Sequence, residues 1–262
     1  MPERIEAIKI REVGQIREIK KDIAKVTGLE SCMNGQLVEV TQDSKGMVMG
    51  FTGGEIPVLL LGRTHEVKVG DKVYSRMEPF KIPVGSGFVG RIVNALAEPI
   101  DDAGEIAEDG RYSVFRDAPS VLERTPITET FETGILIIDS TIPIGKGQRE
   151  LIIGDRMTGK TSICTDAIIN QKGKDIVCIY CCIGRAYSTL ERIVETLKVG
   201  GAMDYTIVVS ATASCSAGEQ YLAPYTACAL GEYFMDKGKH VFVVFDDLTK
   251  HAWIYRQISL LL

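Results

Sequence analysis

Gly154 is followed, after four intervening residues, by Gly159, Lys160 and Thr161, directly behind the apolar run Leu151-Ile152-Ile153. That spacing is the pattern of a phosphate-binding loop. Glycines let backbone N–H groups wrap closely around phosphate oxygens, the lysine neutralises the outer phosphates, and the threonine hydroxyl can join the shell of Mg2+. A helix beginning at the lysine would aim its positive end at the same anion. The expected ligand is therefore ATP or ADP with Mg2+, and the residues within its reach are Gly154, Asp155, Arg156, Met157, Thr158, Gly159, Lys160, Thr161 and Ser162. A second apolar run, Val241 to Phe245, leads straight into Asp246 and Asp247. A carboxylate at the end of such a strand can hold Mg2+ through water, so Asp246 joins Thr161 as a candidate metal partner.

These groups meet only if particular elements carry them. Leu151-Ile152-Ile153 suits a short buried parallel strand, and Lys160 to Asn170 reads as a helix closed by Lys172-Gly173. Leu190, Ile193, Val194 and Leu197 recur at helical spacing, which predicts an amphipathic helix over Tyr187 to Lys198 ended by Gly200-Gly201. Tyr205 to Ser210 is the next strand, and Gly218 to Phe234 the next long helix. Residues 13 to 78 have a different rhythm. Short strands over Gln15–Lys20, Asp22–Val26, Gln36–Thr41, Gly46–Phe51, Ile56–Leu61 and Lys72–Ser75 alternate with turn residues, as in a small all-β barrel. The expected fold is α/β: an N-terminal barrel domain over 1–78, then an incomplete RecA-like P-loop domain with a mainly parallel sheet over 79–262, ending just after the strand that carries Asp246.

At 262 residues, with 45% hydrophobic and 25% charged residues, the chain has the makeup of an ordinary globular protein. A net charge of −5 argues against a nucleic-acid footprint, which needs a basic face. No apolar stretch approaches the roughly 20 residues of a membrane span, and Met1 to Glu6 lacks the basic-then-apolar form of a signal peptide. A cytoplasmic chain, met by a membrane only through partners, is expected. The seven cysteines are an odd number in mostly apolar contexts, which fits reduced buried thiols. Cys178, Cys181 and Cys182 lie in one apolar strand, with no second Cys/His pair at zinc spacing. Gly85, Gly87 and Gly90 satisfy Gly-x-Gly-x-x-Gly, yet β-branched residues and then Pro99 follow where a dinucleotide site needs a helix, so the glycines read as a shaped strand entry. The acidic stretch Glu98 to Asp109 reads as a solvated loop.

From about Val13 to its last residue the chain resembles the alpha subunits of F-type rotary ATP synthases. The most specific segments are Pro83 to Asn94, Ile142 to Arg156, Tyr221 to Tyr225, Gly231 to Phe234 and Tyr255 to Leu262. The resemblance implies an N-terminal β-barrel, a RecA-like nucleotide domain and a place in an alternating ring with beta subunits. It further implies a gamma subunit as central shaft, peripheral-stalk subunits, and a location on the cytoplasmic face of a membrane. It implies ATP synthesis coupled to proton transport, with a regulatory nucleotide site on this subunit.

Three departures from the family pattern bear on that implication. Catalytic beta-type subunits carry Gly-Glu-Arg where this chain has Gly184-Arg185-Ala186. A guanidinium accepts no proton, so Arg185 cannot orient an attacking water as that glutamate does; it either pairs with a phosphate or points away. Alpha subunits usually have glutamine there. Met157 likewise stands where alpha subunits usually have glutamine, and a thioether donates no hydrogen bond. The family's remaining sheet, adenine pocket, trans-acting arginine and helical domain correspond to sequence beyond Leu262, and most of its leading helix to sequence before this start. A catalytic ATPase of the flagellar or type III secretion export class is the alternative, which a glutamate in place of Arg185 would favour. A RecA-like nucleic-acid motor is disfavoured by the acidic balance and the lack of a basic, aromatic-rich platform.

Overall fold

A computed structural model describes residues 11–41, 44–51 and 53–262. The expected barrel domain's first ten residues, including Met1 to Glu6, lie outside the described residues. The described chain forms two compact units: one runs to Phe80 and adds Cys215–Tyr221 and Ala252–Leu262, and the other holds Lys81–Ser214 and Leu222–His251.

In the first unit, six strands close into a barrel: β1 (Glu12–Lys20), β2 (Ile23–Thr27), β3 (Gln36–Glu39), β4 (Ser44–Val48), β5 (Ile56–Gly62) and β6 (Lys72–Pro79), neighbouring in the order β1-β2-β5-β4-β3-β6. All six adjacent pairs are antiparallel. Alternating side chains such as Ile16, Val26, Val38, Val58, Leu60 and Val73 fill its interior. Closure leaves no strand edge open in a unit of this size.

The second unit holds the chemistry-bearing residues. It begins with β7 (Lys81–Val84) and β8 (Ile92–Val93), followed by β9 (Gly110–Ser113), β10 (Thr130–Phe131), a short helix α1 (Leu136–Thr141) and β11 (Ile144–Gly145). Next come α2 (Lys160–Ile169), β12 (Ile176–Ile183), α3 (Tyr187–Val199) and β13 (Thr206–Ala211). Then α4 (Ala217–Asp236), β14 (His240–Asp246) and α5 (Leu248–Ser259) complete the chain. A four-stranded sheet runs β14-β12-β13-β8 and is parallel throughout, while β7 pairs with β9 and β10 with β11 as small antiparallel ribbons. The buried side chains of α3 are the four that the helical spacing selects, Leu190, Ile193, Val194 and Leu197. They pack on alternate residues of β12, Ile176, Cys178, Tyr180 and Cys182, which share one face of the strand. The cysteine cluster is thus core, and among the described residues no group of His, Cys, Asp or Glu is placed to hold a metal ion. Among them, too, no helix is long and apolar enough to cross a membrane.

Leu151-Ile152-Ile153 is not a strand, and Leu151 and Ile153 are 73% and 86% exposed. An apolar run becomes a strand only when a neighbour takes up its N–H and C=O groups, and no described strand pairs with this one. The acidic loop is largely exposed as expected, but several of its members are engaged, among them Asp101, which takes a two-pronged bond from Arg91, and Asp109, which caps the N–H of Ser86. Gly85 and Gly87 let that loop come close, since a Cβ on either would lie about 3 Å from the Ala107 carbonyl (2.9 and 3.0 Å), and only a single 3-10 turn, Ser86–Phe88, lies there in place of the α-helix a dinucleotide site needs.

Candidate functional site

The residues from Gly154 to Ser162 form an exposed loop running into the first turn of α2, with Gly159 as its N-cap in the left-handed conformation. Met157 also has positive φ and is fully exposed, so no packing holds its side chain. Thr158 donates its hydroxyl to the Asp155 carbonyl at 2.9 Å, tightening the loop from within. Lys160 folds back over it: Nζ donates to the Gly154 carbonyl at 2.7 Å, to the Asp155 carbonyl, and to Thr158 Oγ1 at 3.3 Å. An ammonium has three N–H donors, and these three bonds use them.

The other half of the site comes from strand ends. Asp246 ends β14 beside Cys182 of β12, and Arg185 lies just past that strand, where Gly184 donates to the Ala211 carbonyl at 2.7 Å and the Arg185 carbonyl accepts from Ala213 N–H at 2.8 Å. The Asp246 side chain is 8% exposed, and protein donors saturate its two oxygens. Oδ1 accepts from both Nε (3.1 Å) and Nη2 of Arg185. Oδ2 accepts from the Thr161 hydroxyl at 2.8 Å and from the Tyr180 phenol at 2.6 Å. Thr161 Oγ1 in turn accepts from Arg185 Nη2 at 2.9 Å. Four elements therefore converge on one carboxylate: the start of α2, the middle of β12, the turn after it and the end of β14. Asp247 adds a more distant ion pair, 3.8 Å from Arg185 Nε.

The electrostatics follow from this burial. Burial opposes the Arg185 charge, but the hydrogen bonds and attraction of Asp246 outweigh it and raise the guanidinium pKa. Burial first, then the Asp246 charge, pushes the Tyr180 phenol far above its ordinary range, so it stays a donor. The same two causes push the Cys164 thiol on α2 up to about 11.

All of the residues expected in the site lie in this loop or this cluster. Arg185 is not turned away from the site; it is bound to Asp246 and Thr161. Tyr180 is absent from the sequence-based expectation, and Asp247 enters it only as the neighbour of Asp246. The only sequence signal for Tyr180 is a single hydroxyl within Ile-Val-Cys-Ile-Tyr-Cys-Cys-Ile, since a buried phenol needs a hydrogen-bond partner.

A Mg2+ ion fits this arrangement poorly. A carboxylate offers about four lone-pair positions, and here all four are filled by protein donors. Mg2+ also demands near-octahedral oxygen geometry, and Thr161 Oγ1 already donates to one neighbour and accepts from another.

Comparison with known proteins gives two family matches. The nucleotide-binding domain of the ATP synthase alpha/beta family matches residues 134–262, and the beta-barrel domain of the same family matches residues 9–76. Relatives include the ATP synthase subunit alpha of Clostridium botulinum strain Langeland, type F, which is 52% identical over 249 residues, covering 95% of this chain and 49% of that protein. The subunit of the same name from strain Eklund 17B, type B, is 48% identical over 255 residues, covering 97% of this chain and 51% of its own length. The chain spans about half the length of the curated relatives it matches.

Proposed function

The chain belongs to the ATP synthase alpha/beta family, and from that premise we propose that it serves as an alpha-type, nucleotide-binding and non-catalytic part of a proton-translocating ATP synthase. The observation that carries the non-catalytic reading is the Arg185–Asp246 pair. Hydrolysis needs a group to orient and deprotonate water near the outer phosphate. Here the nearest basic-capable carboxylate has every acceptor position occupied, and the residue beside it is a guanidinium that accepts nothing.

In this reading the loop from Gly154 to Ser162 cradles the phosphates of ATP or ADP with backbone N–H groups, and Lys160 leaves its loop carbonyls to meet them. The family's metal would be held through Thr161 and Asp246, a placement the filled carboxylate disfavours. The partners are beta subunits in an alternating ring, a central gamma shaft and a peripheral stalk, and the position is peripheral on a membrane through that complex. Arg185 counts against the export-type ATPase.

Calorimetry and phosphate release test the proposal. Lys160→Ala is expected to weaken ATP binding at least tenfold, about 1.4 kcal/mol. Phosphate release by the chain alone is expected at background. Release from the chain alone that Lys160→Ala abolishes would overturn the non-catalytic reading, and equal ATP binding by both proteins would overturn the assignment of the loop.

A further inference from the structure

We propose that Arg185 stands in for the divalent cation of this site, so that the chain takes the phosphates of a nucleotide without a metal ion. The proposal rests on the nucleotide-binding reading above and adds what neutralises the ligand.

Three observations carry it. The two side chains through which a P-loop domain engages Mg2+, Thr161 and the strand-end Asp246, are both bonded to Arg185. A guanidinium so placed occupies the position between them that a cation would fill, and it brings a permanent positive charge. Second, Asp246 has no acceptor position left, because Tyr180 and Thr161 fill Oδ2 while Arg185 fills Oδ1. Entry of Mg2+ requires Arg185 to leave a carboxylate that is 8% exposed, and the displaced guanidinium would then repel the incoming ion. Third, Arg185 keeps donors in reserve. Nε and Nη2 make all of its bonds to Asp246 and Thr161, and the two N–H groups on Nη1 take no part in them. The side chain is 27% exposed, so it is held without being sealed. Those two N–H groups are left to meet phosphate oxygens.

The test is ATP binding by the purified chain with MgCl2 and with excess EDTA, alongside Mn2+ titration followed by electron paramagnetic resonance. Wild type is expected to bind ATP equally in both conditions, within about threefold, and to leave Mn2+ free. Arg185→Gln is expected to make ATP binding depend at least tenfold on the metal, and to create a Mn2+ site that a second change, Asp246→Asn, removes. Arg185→Lys, which keeps the charge and guards against a folding defect in the glutamine variant, is expected to remain metal-independent. Wild-type ATP binding that is lost in EDTA, or a wild-type Mn2+ site lost in Asp246→Asn, would overturn this proposal and leave the nucleotide-binding reading standing. Absence of ATP binding in both conditions would overturn the two together.

Discussion

At the scale of single residues, the carboxylate of Asp246 organises the site. Tyr180→Phe removes one of its four donors and leaves a lone pair unsatisfied in a buried setting, so it is expected to destabilise the second unit by about 1–3 kcal/mol, read as a fall in denaturation midpoint. Asp246→Ala is expected to cost more, about 3–5 kcal/mol, because it strands the Arg185 charge half-buried. A smaller loss for Asp246→Ala than for Tyr180→Phe would show that the carboxylate is not the hub. The phosphate loop was legible because its residues are contiguous and their spacing is specific. The hub was not, since Thr161, Tyr180 and Arg185 lie 85, 66 and 61 residues from Asp246 along the chain. The parallel register of β12 and β14 sets Tyr180 and Arg185 beside Asp246 and α2 adds Thr161, and apolar strand sequences slide past one another without an obvious mark of register.

At the scale of elements, the six barrel strands, the helix α3 and the strand β14 were readable from periodicity and turn residues. The two-residue strands β8, β10 and β11 are too short to show any period. The loop after β8 makes a pH prediction. Arg91 grips Asp101 with two bonds of 2.7 Å, and the N–H of Ile92 adds a third at 3.0 Å. Hydrogen bonding to Arg91, outweighing the opposing effect of burial, holds the Asp101 carboxyl far below its ordinary value of 3.8. A carboxyl depressed by folding stabilises fully above the unfolded value and loses that contribution as pH falls through the folded one. Asp101→Asn is therefore expected to cost about 2 kcal/mol at pH 7, with the gap from wild type narrowing, but not closing, as the pH is lowered below the ordinary carboxylate range, measured by urea denaturation across that series. A second prediction concerns Gly14 in β1. A Cβ there would lie 2.8 Å from the Thr27 carbonyl oxygen and 2.7 Å from Val26 Cγ1, so Gly14→Ala is expected to lower barrel stability by about 1–3 kcal/mol in thermal melts.

At the scale of the whole molecule, the apolar residues that find no core are the informative ones. Leu122, Leu136, Ile137, Ile142, Leu151 and Ile153 are all exposed within one stretch of the second unit. Exposed apolar surface of this kind marks contact with other chains. The purified chain is expected to self-associate at micromolar concentration, and Leu122→Glu with Ile153→Glu to reduce that, as followed by light scattering. A monodisperse wild-type monomer would contradict this. The sheet order also sets a gradient in time. β12 lies between two parallel neighbours, so its amides are expected to open to deuterium only when the unit unfolds, whereas among the described residues β14 is an edge strand and alternate amides along it face no ladder partner. Asp246 thus hangs from the strand expected to exchange faster, and Tyr180 from the one expected to exchange more slowly. The bonds that join them across this boundary make deuterium uptake along β14 a clock for the site, one that runs slower whenever Asp246 is held and faster whenever it is released.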